Sequence, residues 1–341
     1  FHMCPICRTP RMHNATMKSA CPMPHVFEFE DAIAEIRKFA KQIVTENKSE
    51  IARISVAEFL EKSKELFANI VDKQDKKAAF EVPVLENFLN KIHCEKIKAK
   101  SKDKADIHIV IHDYHTGLKP QLGFSIKSDA GSNPTLLNAS KPTIFTYELI
   151  GDKIDDGIVN EINSITGNRK IQNRVNEIYS QGLSLKFSEI KNTIFRNNLR
   201  LIDSCLPEIV AWMMLDCYRN RNMKIKNAVE RICNDNPLNY DLSNGHDFYG
   251  YKIKSLMVCT ALGMLPATPW NGRYEATGGY IGVKKDGDVI CFHIYDRNLL
   301  EDYLFHNTKF ETPENERYQM GQIYKVDGKY YFDLVLQIRF T

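Results

Sequence analysis

The chain has 341 residues, of which 43% are hydrophobic and 26% are charged, and its formal net charge is only +3. This composition is typical of a folded protein with a large core, and it excludes the disordered and fibrous classes. Because the net charge is small, a hold on nucleic acid would depend on where Lys and Arg lie rather than on their total.

The sequence gives no sign of a membrane or secreted protein. The longest apolar run, Ile209–Leu215, is far below the roughly 20 residues that a membrane span needs. No secretory signal is visible, and the nine cysteines follow no regular framework. We therefore expect reduced thiols and a cytoplasmic location.

Residues 1–26 are rich in Met, Cys, Pro and His, and they show neither a helical nor a strand period. We expect an irregular extension. Cys4, Cys7, Cys21 and His25 could supply four zinc ligands, because paired thiolates at the CxxC spacing chelate one tetrahedral ion. A single CxxC is a weak pattern, and a disordered extension without metal is the alternative.

The remaining chain divides by hydrophobic pattern into four regions. Apolar residues recur at helical spacing over 27–95, for example at Ile36, Phe39 and Ile43, which predicts a helical N-terminal subdomain. Residues 96–150 carry β-branched alternation and are predicted core strands, and residues 151–245 are predicted to be helical. Region 246–341 is predicted to be α+β, with Asp-Gly hairpin turns at 286–287 and 327–328.

Two of the predicted core strands carry residues suited to phosphodiester hydrolysis. Asp106 opens the first strand, and Ser125 and Lys127 share one face of the next, while Phe124 and Ile126 share the other. An Asp that holds a divalent cation and a Lys that organises the attacking water can meet at one scissile phosphate. The alternatives are an exposed strand-end Asp and an edge Lys that discourages strand pairing.

A polar segment follows these strands, and its small residues, Asn138 and Ser140 among them, suit close approach to a phosphate backbone. An ordinary loop would explain the same composition.

Farther on, Arg273, Arg297 and Arg317 are candidates for bidentate contacts with guanine, although surface arginines more often pair with nearby carboxylates.

Five motifs, in order, resemble the HpaII family of type II restriction endonucleases over roughly residues 80–341. They are Lys104-Ala105-Asp106, Gly123 to Ser128, Thr135 to Ser140, Ala276-Thr277-Gly278-Gly279-Tyr280-Ile281 and Leu336 to Phe340. The family belongs with the PD-(D/E)XK nucleases, so the resemblance implies an α/β (α+β) fold with a mixed sheet flanked by helices. It also implies Mg²⁺-dependent cleavage of double-stranded DNA at CCGG, in a prokaryotic system with a cognate DNA methyltransferase.

Carried over residue by residue, the resemblance makes Asp106 the metal-binding Asp and Lys127 the catalytic Lys. Ser125 stands where the motif usually has Asp or Glu, and a hydroxyl is a poor substitute for a carboxylate on Mg²⁺. Glu86 is our first candidate for the missing acidic ligand, with Asp113 and Glu148 behind it. Ser128, Asn138, Ser140, Arg273, Thr277 and Arg317 are then the expected DNA contacts.

We therefore expect a type II restriction endonuclease that acts as a homodimer, because two copies related by a two-fold axis cut both strands of a palindrome most simply. One alternative is a repair or structure-selective nuclease that uses the same Asp and Lys. The other is a DNA-binding protein that has lost catalysis, in which Ser125 reflects the loss.

Overall fold

The structure is a computed structural model. It describes residues 25–27, 40–44, 50–55, 57–58, 61–65, 68, 87–88, 90–91, 105–110, 121–128, 133–284, 289–293, 296–313, 318 and 320–341. The chain divides into two compact units. The first comprises residues 1–132 and 278–299, and the second comprises residues 133–277 and 300–341.

Strands and helices are numbered in chain order. The strands are β1 His25–Phe27, β2 Ala40–Val44, β3 Glu50–Ser55, β4 Ile107–Val110, β5 Gln121–Ser128, β6 Thr135–Leu137, β7 Ile144–Ile150, β8 Ser184–Ile190, β9 Gly279–Val283, β10 Val289–His293, β11 Thr308–Phe310, β12 Ile323–Val326, β13 Lys329–Val335 and β14 Ile338–Phe340. The helices are α1 Asp156–Ser164, α2 Lys170–Ser180, α3 Thr193–Ile202, α4 Leu206–Asn220, α5 Ile225–Asp235, α6 Phe248–Leu262 and α7 Arg297–Asn307.

The first unit is built on a mixed sheet with the strand order β1-β10-β9-β5-β4. β5 runs parallel to β9 and antiparallel to β4, and β9 and β10 form the hairpin predicted around the Asp-Gly turn. Parallel neighbours require a long crossover connection, which the chain supplies between β5 and β9. The prediction of a mixed α/β fold is confirmed.

The helical prediction for the segment that includes Ile43 is wrong where the structure describes it. Residues 40–44 form β2, which pairs antiparallel with β3. β3 begins only six residues after β2 ends, and its backbone pairs with the amides and carbonyls of β2. A short apolar run cannot distinguish a strand from a helix by its period. Residues 61–65 are helical, as predicted. The five-region division of the chain remains a prediction.

The second unit contains the sheets β12-β13-β7-β8 and β11-β14-β6 together with α1 to α6. Most residues of α6 are buried, and the buried Tyr147 of β7 donates a hydrogen bond from its hydroxyl to the Ala211 carbonyl of α4. β7, the β12–β13 hairpin and the helices α1 to α5 occur where the sequence predicts them. The prediction that residues 151–245 are helical is wrong at β8, which is a strand that pairs antiparallel with β7. Asp327 and Gly328 both have positive φ, 49° and 80°, as a two-residue hairpin turn requires.

Within the described ranges, the structure has no helix that is long and apolar enough to cross a membrane.

Candidate active site

Asp106 lies immediately before β4 and is fixed to β5 on both sides of Ser125. Its amide donates to the Phe124 carbonyl at 2.8 Å, and its carboxylate Oδ2 accepts a hydrogen bond from the Ile126 amide at 2.6 Å. The β4–β5 register pairs Ile107 with Phe124, so the next residue pair places Asp106 opposite Ser125. The two strands therefore bring together the Asp and the strand segment that the sequence singles out.

Ser125 lies between Asp106 and Tyr280 in a row of residues that crosses the sheet. It pairs with Tyr280 of β9, which in turn pairs with Phe292 of β10, and all three are at most 1% exposed. Asp106, at the other end of this row, is exposed. The row thus runs from a solvent-facing carboxylate to a buried aromatic pair.

The Ser125 hydroxyl is a buried polar atom without a hydrogen-bond partner among the residues that the structure describes. Burying a hydroxyl unpaired costs free energy, so such atoms commonly mark a place where a ligand or a water completes the contacts. The position that usually holds a carboxylate in this motif therefore retains an unused polar atom.

Lys127 lies two residues farther along β5, on the same face as Ser125, and is half-buried. Its partner on β9 is Gly282, which has no side chain to cover it. In the described part of the chain, no carboxylate pairs with its ammonium group. An amine that is partly desolvated without a carboxylate is suited to an anion supplied from outside, such as a phosphate.

Gly278 and Gly279 allow β9 to approach its neighbours closely. The Gly278 amide donates to the Gly123 carbonyl at 2.6 Å, and a Cβ on Gly278 would lie 2.5 Å from the Phe124 ring. Gly279 has φ +125°, and a Cβ there would lie 2.0 Å from the Phe292 carbonyl oxygen. The glycine pair of the fourth motif is thus a packing requirement for the strands that carry the site.

The structure assembles no complete metal centre from the residues that it describes, which contain no group of three His, Cys, Asp or Glu able to hold an ion. Glu86 and Asp113, two candidates for the second ligand, lie outside the described residues. Glu148 belongs to the second unit, where its carboxylate pairs with Lys329 at 2.9 Å. Asp106 is thus the predicted metal ligand that the structure places.

The candidate zinc ligands Cys4, Cys7 and Cys21 also lie outside the described residues, and His25 belongs to β1. Nothing in the structure bears on a zinc site at the N-terminus.

The predicted DNA contacts fall in both units. Ser128 ends β5 in the first unit and is exposed, whereas Asn138, Arg273 and Thr277 are exposed in the second. The backbone of Ser140 is engaged by the Thr143 hydroxyl, which accepts from its amide and donates to its carbonyl, each at 3.1 Å. Arg317 lies outside the described residues.

Sequence reasoning missed the residue that holds the Arg273 loop. Asn198 of α3 is 3% exposed and donates to the carbonyls of Leu265 and Thr268, while its side-chain oxygen accepts from the Trp270 amide at 2.9 Å. An asparagine on an amphipathic helix gives no sign of such long-range bonds. The loop that presents Arg273 is therefore anchored to the core of its unit.

His293 at the end of β10 is a titratable group in the first unit. Burial lowers the pKa of its imidazole below the ordinary 6.5, and the charge of nearby Asp296 opposes the shift only in part. The neutral form is accordingly favoured in the folded chain.

The chain is similar to proteins of known activity over nearly all its length. The sequence model of the HpaII restriction endonuclease family matches residues 28–340. A curated relative, the type II restriction enzyme HpaII of Haemophilus parainfluenzae, is 45% identical over 298 residues, which is 87% of this chain and 81% of that protein. No solved structure matches the chain.

Proposed function

The chain belongs to the HpaII restriction endonuclease family and is a site-specific deoxyribonuclease, and we propose that it cuts both strands of DNA at CCGG with Mg²⁺. One observation supports the assignment of the site. The carboxylate of Asp106 is bonded to the Ile126 amide, between Ser125 and Lys127. The acidic and basic groups that hydrolysis needs are thus on adjacent strands of one sheet.

The oxygen atoms of the described residues would supply part of the ligand set of a hard cation such as Mg²⁺. Asp106 offers an anionic oxygen, and one of its two oxygens is taken by the Ile126 amide, so the other would hold Mg²⁺. The unpaired Ser125 hydroxyl would contribute a neutral oxygen, directly or through a water. We propose Glu86 as the acidic group that completes the set. The ion, when bound, supplies charge stabilisation and lowers the pKa of a coordinated water.

Lys127 has the second part in the proposed chemistry. Its ammonium group would bind a non-bridging oxygen of the scissile phosphate and orient the water that attacks it. As the attack adds negative charge to the phosphate oxygens, a fixed cation stabilises the transition state more than the ground state. The half-buried setting of Lys127 strengthens this effect because less water screens the charge.

We assign sequence recognition mainly to the second unit. The exposed Arg273, on the loop that Asn198 anchors, would contact a guanine, and Asn138 would track the phosphate backbone. Thr277 and, at the end of β5, Ser128 are further proposed contacts, as are Ser140 and Arg317. The enzyme would act as a homodimer on the palindrome and would work beside a methyltransferase that protects the same site.

Digestion of plasmid DNA with and without Mg²⁺, followed by mapping of the fragment ends, tests the proposal. We expect discrete fragments with CCGG ends that require Mg²⁺ and disappear with Lys127→Ala. The matched control is Lys186→Ala, since Lys186 is exposed on β8 and has no assigned role. Fragments ending at unrelated sequences or at branched structures would instead indicate a structure-selective nuclease.

One observation favours a second candidate, a DNA-binding protein without catalysis. Ser125 stands in place of the acidic residue that the motif usually has, and its hydroxyl carries no charge with which to hold a divalent cation. In that case the chain would shift a CCGG duplex on a gel and leave it intact at every Mg²⁺ concentration.

A further inference from the structure

A cavity of about 500 Å³ opens on the second unit, among α2, β8, α4 and α5. Its lining combines two aromatic rings, two arginines and a pair of polar side chains: Tyr179, Trp212, Arg219, Arg231, Asn234 and Asp235. The predictions from sequence assign none of these residues a role. A cavity of this size can accommodate a small ligand, and convergent polar groups in a concave site indicate binding.

The cavity has a rigid wall. Asp216 of α4, only 8% exposed, accepts a hydrogen bond from Nε of Arg231 at 2.5 Å and another from Asn220 at 2.5 Å. Arg231 also donates to the Asn222 carbonyl at 3.0 Å, which ties α5 to the turn after α4. Because a buried ion pair is costly to form and costlier to break, this wall is fixed before any ligand arrives.

Planar side chains line this cavity. The guanidinium carbon of Arg219 lies 4.1 Å from the centre of the Tyr179 ring, a cation–π contact. Trp212 is half-buried on α4, although most of that helix is buried. Aromatic and guanidinium planes of this kind bind the faces of planar rings.

The polar groups around these planes are not used within the protein. In the part of the chain that the structure describes, the indole N–H of Trp212 and the side chains of Asn234 and Asp235 form no hydrogen bonds. Asn234 offers a donor and an acceptor, and Asp235 accepts. Together they match a ring whose edge presents donors and acceptors, rather than a purely apolar ligand.

We propose that this cavity binds the base of a nucleotide. The base would stack on Trp212, Asn234 and Asp235 would bond its edge, and Arg219 would meet the attached phosphate. The base could belong to a free nucleotide or to a strand of the DNA substrate. The second source rests on the proposed function, because it requires the chain to bind DNA.

The chain has two tryptophans, so each can be isolated by replacing the other. The experiment titrates guanosine and cytidine monophosphates into the full chain carrying Trp270→Phe, in which Trp212 is the sole tryptophan. We expect saturable quenching of its fluorescence at millimolar nucleotide, and no saturable change in the Trp212→Phe chain. Inorganic phosphate and ribose 5-phosphate serve as probes without a base and should leave the signal unchanged.

Asp235→Asn in the same Trp270→Phe background tests the edge contacts. We expect about tenfold weaker binding of the nucleotide, because a neutral amide oxygen replaces the charged acceptor and a hydrogen bond to a charged group is the stronger of the two. Asp152→Asn is the matched control because Asp152 is exposed and outside the cavity, and it should bind as the parent does. Equal affinities of the two variants would overturn the assignment of Asp235.

A second titration uses a short CCGG duplex with Ca²⁺ in place of Mg²⁺ to prevent cutting. Quenching of Trp212 that free nucleotide competes away would identify DNA as the source of the base, whereas quenching by free nucleotide alone would identify a nucleotide ligand. No quenching by either would overturn the proposal. Plasmid cleavage is scored separately on the parent chain, in which Trp270 still donates to the Arg273 carbonyl, so a failed cavity and a failed nuclease assignment remain distinguishable.

Discussion

Replacing Asp106 separates its structural contact from its proposed catalytic one. Asp106→Ala removes the acceptor of the Ile126 amide, which the native carboxylate meets at 2.6 Å. An amide left without its acceptor costs about 1–3 kcal/mol when buried, and the exposed setting of Asp106 favours the lower end, about 1 kcal/mol. Asp106→Asn keeps an oxygen that can accept the bond, so we expect it to lose about half as much stability.

Catalysis should respond differently. Both variants remove the anionic oxygen, and the charge stabilisation by a bound metal is worth several kcal/mol. Since each 1.36 kcal/mol is a factor of ten in rate, a loss of about 4 kcal/mol lowers cleavage about a thousandfold in both variants. The stabilities of Asp106→Asn and Asp106→Ala should therefore differ, whereas their activities should be equally low.

Urea unfolding gives the two free energies, and the rate of cleavage of a CCGG duplex under single-turnover conditions gives the activity. Asp152→Asn is the control for loss of an exposed carboxylate elsewhere. An Asp106→Asn chain that cuts within tenfold of the parent rate would refute the metal role. Equal stabilities for the Asn and Ala variants would refute the importance of the bond to Ile126.

Three further changes test the fold around the sites. Gly279→Ala should lower the free energy of unfolding by about 3 kcal/mol, because φ is +125° and the new Cβ would meet the Phe292 carbonyl oxygen at 2.0 Å. Arg231→Ala should cost about 3 kcal/mol, because the buried carboxylate of Asp216 loses its ionic partner and keeps only the neutral side chain of Asn220. The burial-lowered pKa of His293 means that the unfolded chain binds its proton more readily, so stability should be full above pH 6.5 and fall as the pH drops from 6.5 towards the folded-state pKa. Urea unfolding measures the free energy of unfolding in each case, and for His293 it is repeated across this pH range. The pH dependence should weaken in His293→Gln.

Each of these changes has a matched control. Gly182→Ala introduces a positive-φ alanine, at φ +72°, into open space, so it should cost clearly less than Gly279→Ala. Lys226→Ala removes an exposed ion pair of 3.9 Å with Glu230 and should cost less than about 0.5 kcal/mol. His246→Gln replaces an exposed histidine and should leave the pH dependence intact. A control that matches its test variant would contradict the corresponding argument.

The elements that sequence predicts well have local causes. The β12–β13 hairpin follows from Asp327-Gly328, a pair that tolerates the positive φ of the turn, and β5 follows from alternation between Phe124 and Ile126 on one face and polar residues on the other. β2 is not predicted because its five residues are too few to reveal a period, although its partner β3 begins only six residues farther along the chain.

The candidate sites likewise contain residues that the sequence can indicate and residues that it cannot. The sequence could single out Asp106 and Lys127 as candidates because one stands at the start of a predicted strand and the other within the next, and their roles stay a prediction. Asn198 and the cavity around Trp212 are not predictable, since their partners come from segments far apart in the sequence and each residue alone is ordinary on a helix. The five-motif resemblance supplies the family, and it contains no information about these contacts.

The unusual Ser125 can be understood from the row in which it lies. It is 1% exposed and faces Asp106 across the ladder, so an acidic residue there would bury a second negative charge beside the first whenever no cation is bound. A hydroxyl avoids this repulsion and still offers an oxygen towards the site. The hydroxyl does not supply an anionic ligand, so a bound Mg²⁺ would need a carboxylate from another part of the chain. The completing carboxylate should therefore come from outside β5, which is the physical reason for proposing Glu86.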